Sequence, residues 1–274
     1  MIIKTLVENT SISKEFNTEH GLSLYIETKN RKLLFDLGAS GLFIENAKKL
    51  GVDLSAVDIV IVSHGHYDHG GGLKAFLDVN SKAKIYLNQK AFDRHYAVRP
   101  NGEKAYIGLD EGLSSNNRFI FVADYLCIDE ELELFSNIKG KQFISLGNRD
   151  LLKELGNSFV QDDFIHEQNL IVKEDGKMVL VAGCAHSGIV NIIDQINQMK
   201  RKPADVVIGG FHLYNPAAKK NEDPELISQI GAYLKNTDSI YYTCHCTGIE
   251  PYQNLKAIMG KKIQYLAGGS QLIV

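Results

Sequence analysis

Three of the chain's nine histidines fall within six residues, in the segment Ser63-His64-Gly65-His66-Tyr67-Asp68-His69-Gly70-Gly71-Gly72. The segment follows the apolar run Ile59–Val62 and precedes a helical pattern over Leu73–Val79. That context puts it on a loop at the carboxyl end of a strand, where open sheets place their sites. Imidazoles packed this closely repel one another when protonated and lose solvation when buried unpaired. A cation removes both costs. Neutral imidazoles suit zinc and iron, and the Asp68 carboxylate adds charge for holding a second ion.

The remaining pattern fits one large soluble α+β chain. Apolar runs separated by turn residues predict strands at Ile2–Val7, Leu22–Thr28, Lys32–Phe35, Lys84–Leu87, Leu170–Lys173, Met178–Val181, Val206–Ile208 and Ile240–Thr243. Helical spacing appears over Gly41–Leu50, Ile189–Lys200, Pro224–Leu234 and Pro251–Met259. Asp223-Pro224 and Glu250-Pro251 put proline where a first helical turn accepts it. Residues 91–168 are the least regular stretch and read as an insertion or lid within a single 1–274 domain.

Composition narrows the partners. Thirty Lys+Arg against 33 Asp+Glu gives a net charge of -3, so no basic face invites a nucleic acid. No run reaches the roughly 18 apolar residues of a membrane span. The start, MIIKTLVENTSISKEF, lacks a signal-peptide core, and four cysteines in 274 residues make no disulfide framework. The expectation is a cytoplasmic protein acting on a small, anionic molecule, with no nucleic-acid or membrane partner. The oligomeric state is left open.

The histidine loop resembles the His-x-His-x-Asp-His motif of the metallo-β-lactamase superfamily at every ligand position. Leu34-Phe35-Asp36-Leu37-Gly38 is similar to that superfamily's early strand-end motif. His20-Gly21-Leu22-Ser23, Gly183-Cys184-Ala185-His186-Ser187-Gly188, Gly209-Gly210-Phe211-His212-Leu213 and Cys244-His245-Cys246-Thr247-Gly248 resemble its dihydropterin-type branch, the 7,8-dihydropterin-6-methyl-4-(β-D-ribofuranosyl)aminobenzene-5'-phosphate synthase-like proteins. The resemblance implies a four-layer αββα sandwich holding one or two divalent metal ions, zinc first, with iron and manganese as alternatives. It also implies a ligand set: His64, His66 and His186 on one ion, Asp68, His69 and His245 on the other. Asp36 is expected to orient a ligand histidine.

Where many members carry Gly-Asp, this chain has Gly183-Cys184, so a thiolate could replace the bridging carboxylate. A buried structural cysteine is the competing reading. His212 is a candidate proton donor or substrate contact, and Tyr67 and Phe211 are candidate walls for a flat ring. Cys244 and Cys246, flanking His245 on an extended strand, should point away from it and pack structurally. His166 is expected at the surface and His95 on an exposed helix face. The leading activity is hydrolysis of a small ester or phosphoester by a metal-activated water, with Asp68 orienting the nucleophile. The alternatives are transfer of a dihydropterin-methyl group from its diphosphate to an aromatic amine, and a metal-bound sensor without turnover.

Overall fold

The computed structural model describes residues 1–274. Alternation along the strands decides the architecture. In Lys32–Phe35, Leu33 and Phe35 face one apolar cluster while Leu34 faces another. In Lys177–Val181, Val179 and Val181 join the first cluster and Met178 and Leu180 a third. Strands apolar on both sides must be covered on both sides.

Two seven-stranded sheets satisfy that demand. One runs in the order Gln271–Ile273, Ile2–Val7, Ser23–Glu27, Lys32–Phe35, Ile59–Ile61, Lys84–Asn88, Phe119–Val122. The other runs Ile263–Tyr265, Ile240–Thr243, Val206–Gly209, Lys177–Val181, Gln168–Glu174, Leu132–Ser136, Tyr125–Cys127. Their inner faces share a core that includes Phe35, Ile61, Leu134, Val181 and Ile208. Helices Leu42–Lys49 and Leu73–Val79 cover the first sheet through Phe43, Ala47, Leu73 and Phe76. Helices Ile189–Lys200, Pro224–Lys235 and Ile249–Met259 cover the second through Ile192, Ile196, Ile230 and Leu255. The result is a four-layer αββα sandwich. No helix is long and apolar enough to cross a membrane.

Proline placement obeys the helix ends. Asp223 caps its helix by accepting from the Glu225 amide at 2.8 Å, with Pro224 in the first turn. The last long helix starts at Ile249, two residues before Pro251, because the first four N–H groups of a helix have no internal partner to lose.

Residues 91–168 are not one insertion. Phe119–Val122 completes the first sheet, and Tyr125–Cys127 and Leu132–Ser136 complete the second. His95–Val98, Lys104–Tyr106, Leu151–Leu155 and Ser158–Gln161 form a separate four-stranded sheet. Its strands are short and, apart from the buried His95–Val98, half exposed, which hid their period in the sequence.

Parallel pairing aims the chain. Lys32–Phe35, Ile59–Ile61 and Lys84–Asn88 run parallel, as do Lys177–Val181, Val206–Gly209 and Ile240–Thr243. Each set therefore releases its following loops at one edge. Leu134→Ala, in the core between the sheets, should cost about 2–5 kcal/mol of unfolding free energy in urea titration. A loss under about 1 kcal/mol would show that the two sheets are not held by this contact.

Candidate metal centre

The site is built where those strand ends meet. Asp36 follows Lys32–Phe35, and the histidine loop follows Ile59–Ile61. Cys184 and His186 follow Lys177–Val181, His212 follows Val206–Gly209, and His245 follows Ile240–Thr243. Asp36, His212 and His245 adopt left-handed φ values of 61°, 50° and 51°, which non-glycine residues hold only under constraint from their surroundings.

Hydrogen bonds set the imidazole tautomers. Asp36 accepts from the Ser63 amide at 2.7 Å and from the Ser63 hydroxyl at 2.8 Å. That hydroxyl, its proton committed, accepts from His64 Nδ1 at 2.8 Å. His69 Nδ1 donates to Asp36 Oδ2 at 2.6 Å. Asn148 donates to the His186 carbonyl at 2.8 Å, which turns its Oδ1 to accept from His186 Nδ1 at 3.0 Å. Asn9 Oδ1 accepts from the Gly21 amide at 3.3 Å and from His245 Nδ1 at 2.9 Å. In His64, His186 and His245 Nδ1 carries the proton and Nε2 presents a lone pair, and His69 Nε2 does so once its own proton has left.

Those lone pairs converge. His64 Nε2 lies 3.1 Å from His66 Nδ1, and His186 joins them in one cluster of possible ligand atoms. His69 Nε2 lies 3.2 Å from Cys184 Sγ and 3.6 Å from Asp68 Oδ2. His245 Nε2 is 3.2 Å from the same carboxylate oxygen. The buried Nε2 atoms of His186 and His245 have no hydrogen-bond partner. A buried gathering of acceptors without donors fits a cation, and imidazole, carboxylate and thiol are the donor types that divalent zinc or iron takes.

The electrostatics agree. Burial pushes His64, His66 and His186 well below the ordinary imidazole value, and the neighbouring histidines repel the charge further. They are neutral, as ligands must be. Burial also pushes His69 down, but Asp36 and Asp68 outweigh it and carry the group up to about 9. Burial raises Asp68, and His69, His20 and His245 then draw it well below the usual carboxylate range.

Cys184 sits at the centre. Its sulfur belongs to one cluster with His64 and His69, to another with His186 and His212, and to a third with His245 and Cys246. Gly183 permits this approach, since a Cβ there would lie 2.3 Å from Ser63 Oγ. Cys246 corrects the sequence expectation. His245–Thr247 is a tight turn and not an extended strand, so the alternation fails and Cys246 comes round to the cleft. Cys244 packs in the core between the sheets.

The cleft has a volume of about 300 Å³. Tyr67 and His212 line it, and both ring nitrogens of His212 are buried without a partner. The small sheet supplies a wall that includes Ala97, Val98, Arg99 and Leu151. Tyr67 N donates to the Ile107 carbonyl at 2.8 Å, tying that wall to the histidine loop. Phe211 corrects another expectation. It is buried against Tyr241 in the helix-covered core and cannot stack on anything in the cleft.

His95 and His166 are neither exposed nor at the surface, being 1% exposed each. His95 lies on a strand, and its Nδ1 donates to Asp162 Oδ2 at 2.9 Å. His166 Nε2 donates to the same oxygen at 3.3 Å, which leaves Nδ1 to accept from the Gly65 amide at 2.9 Å. The pair thus pins the backbone between His64 and His66. Asn9, Asn148, Asp162 and His20 are further residues that sequence reasoning missed as parts of the site. His20 Nδ1 accepts a hydrogen bond from Asn9 Nδ2 at 3.3 Å, and its Nε2 lies 3.3 Å from Asp68 Oδ2. Only His20 had a local signal, its place beside Gly21.

Comparison with known proteins gives a consistent picture. Residues 17–188 match the family model of the metallo-beta-lactamase superfamily. The crystal structure of Tm1679, a metal-dependent hydrolase of the beta-lactamase superfamily, is similar with a TM-score of 0.83 and 31% identity, covering 100% of this chain and 99% of that one. An uncharacterised protein of Methanocaldococcus jannaschii is 29% identical over 94% of each chain. The same organism's 7,8-dihydropterin-6-methyl-4-(beta-D-ribofuranosyl)-aminobenzene-5'-phosphate synthase is 26% identical over 90% of this chain and 88% of its own.

His166→Leu should leave the Gly65 amide buried without an acceptor and loosen the loop. Displacing an outer hydrogen-bond partner of this kind lowers metal affinity by about 10–100-fold. Competition against a chromogenic chelator reads the change; an unaltered affinity would show that the loop is held by its other contacts alone.

Proposed function

Because the chain belongs to the metallo-beta-lactamase superfamily, we propose that it is a metal-dependent hydrolase of a small, anionic ester or phosphoester. The observation that carries this reading is the convergence of His64, His66, Asp68, His69, His186 and His245 at and beneath the floor of an open cleft, with the buried Nε2 atoms of His66, His186 and His245 left without a hydrogen-bond partner. His64, His66 and His186 would hold one ion, and Asp68, His69 and His245 the other, with Cys184 between them. The mixture of imidazole and sulfur favours zinc over manganese. Bound there, a divalent ion supplies an acidified water and polarises a carbonyl or phosphoryl oxygen.

The chain's own residues do the rest. Asp68, ionised and held beside His20 and His245, orients the attacking group. His212 faces the cleft with both ring nitrogens free, so it protonates the departing oxygen. Arg99 brings a positive charge to the small-sheet wall and binds the substrate's anionic group. Tyr67, partly exposed beside the loop, packs against the substrate's body.

A second reading is supported by the likeness to the dihydropterin synthase. There the departing group would be a diphosphate and the acceptor an aromatic amine in place of water. Arg99 would then anchor the diphosphate, and Tyr67 would face the ring. Assay of phosphoesters beside a pterin-methyl diphosphate with an aromatic amine separates the two by whether water or amine ends up in the product. Metal retained with no turnover in either assay would leave a binding protein.

His64→Ala should lose bound metal and activity together, read by metal content per chain and by turnover. His212→Gln should keep the metal and lose about 10²–10⁴-fold in kcat. Full metal content in His64→Ala would sink the assigned ligand set.

A further inference from the structure

We propose that Cys246 joins Cys184 as a sulfur ligand, making the second metal position a dithiolate centre suited to soft ions. The inference rests on the reading of the cleft as a metal centre. It goes beyond that reading in the ligand it adds and the ion it selects.

The four cysteines occupy three different environments. Cys127 is exposed, and Cys244 is packed among the apolar side chains between the sheets. Cys184 and Cys246 are buried but belong to none of the apolar clusters, and both line the cleft. Their sulfurs and a ring nitrogen of His245 all lie within 4.8 Å of one another. His245 Nδ1 is held by Asn9, and its buried Nε2 lies 3.2 Å from Asp68 Oδ2 without hydrogen-bond geometry.

The backbone is shaped around the second sulfur. A Cβ on Gly210 would lie 2.4 Å from Cys246 Sγ, so the space beside it is kept open by a residue without a side chain. The His212 amide donates to that sulfur at 3.3 Å, an interaction that stabilises a sulfur carrying negative charge. On the other side, Cys184 Sγ is 3.2 Å from His69 Nε2. Two sulfurs and an imidazole within 4.8 Å of one another, with the His69 ring beside Cys184, make a soft donor set. Such a set takes zinc, cobalt or cuprous ion in preference to manganese or magnesium, which prefer oxygen. Each thiol gives its proton to solvent as its sulfur–metal bond forms.

Cobalt(II) loading tests this with a readout independent of turnover, because sulfur bound to cobalt gives a near-ultraviolet charge-transfer band. The native protein should show the band at an intensity for two sulfurs. Cys246→Ala and Cys184→Ala should each lower it by about half at equal cobalt content, and the double variant should abolish it. Cys244→Ala serves as the control for a buried cysteine that binds nothing, and its band should equal the native one. An unchanged band in Cys246→Ala would overturn the proposal, as would a native protein that binds two cobalt ions with no band. Either result would leave the hydrolase reading standing. Failure of the native protein to bind cobalt or zinc at all would overturn both.

Discussion

The buried carboxylate of Asp36 is the interaction on which the site depends. It is fully buried and sits at a left-handed backbone position at the end of its strand. One oxygen takes the Ser63 amide, the other the Ser63 hydroxyl and the His69 ring. Through Ser63 it also sets His64. A single charge thus fixes two ligand rings and the backbone that carries them. The cost of burying it is offset by three donors, which is the condition under which a buried carboxylate is tolerated.

The same logic recurs around the rest of the cleft with neutral partners. Asn148 orients His186, Asn9 orients His245, and His166 pins the Gly65 amide. Each acts through an atom whose role is decided by a second hydrogen bond elsewhere. The consequence is a set of lone pairs aimed inward before any ion arrives, which is what preorganised metal binding needs. Folding and metal binding are coupled in such an arrangement, since the unfolded chain holds none of these angles.

The separate small sheet shows how the sandwich acquires a wall for its cleft. Its strand Lys104–Tyr106 leads into Ile107, whose carbonyl meets the Tyr67 amide of the histidine loop. Wall and histidine loop are therefore joined by backbone pairing at this point. Arg99 lies just past the strand His95–Val98 of that sheet, which places a cation beside the ligands without drawing on the main sheets.

The histidine loop, its strand and its following helix were legible because they are local: an apolar run, ligands at short spacing, then helical period. The strand ends carrying His186, His212 and His245 were legible for the same reason, whereas the αββα layering came only from the resemblance of these motifs to the metallo-β-lactamase superfamily. What the tertiary structure decided was every relation across sequence distance. His95 read as a surface residue because the Asp162 carboxylate that allows its burial lies 67 positions away; His166 follows that carboxylate by only four residues, but the Gly65 amide it meets inside the protein lies 101 positions away. Cys246 was misplaced because the strand was taken to continue, whereas a left-handed φ at His245 ends it and turns the next side chain inward. Phe211 went to the core because the residue after it, not Phe211 itself, takes the turn that faces the cleft. Spacing along a chain determines which candidate ligands exist; the directions of His69, His186 and His245 are set by hydrogen bonds to residues 33, 38 and 236 positions away, and those exist only once the sheets have packed.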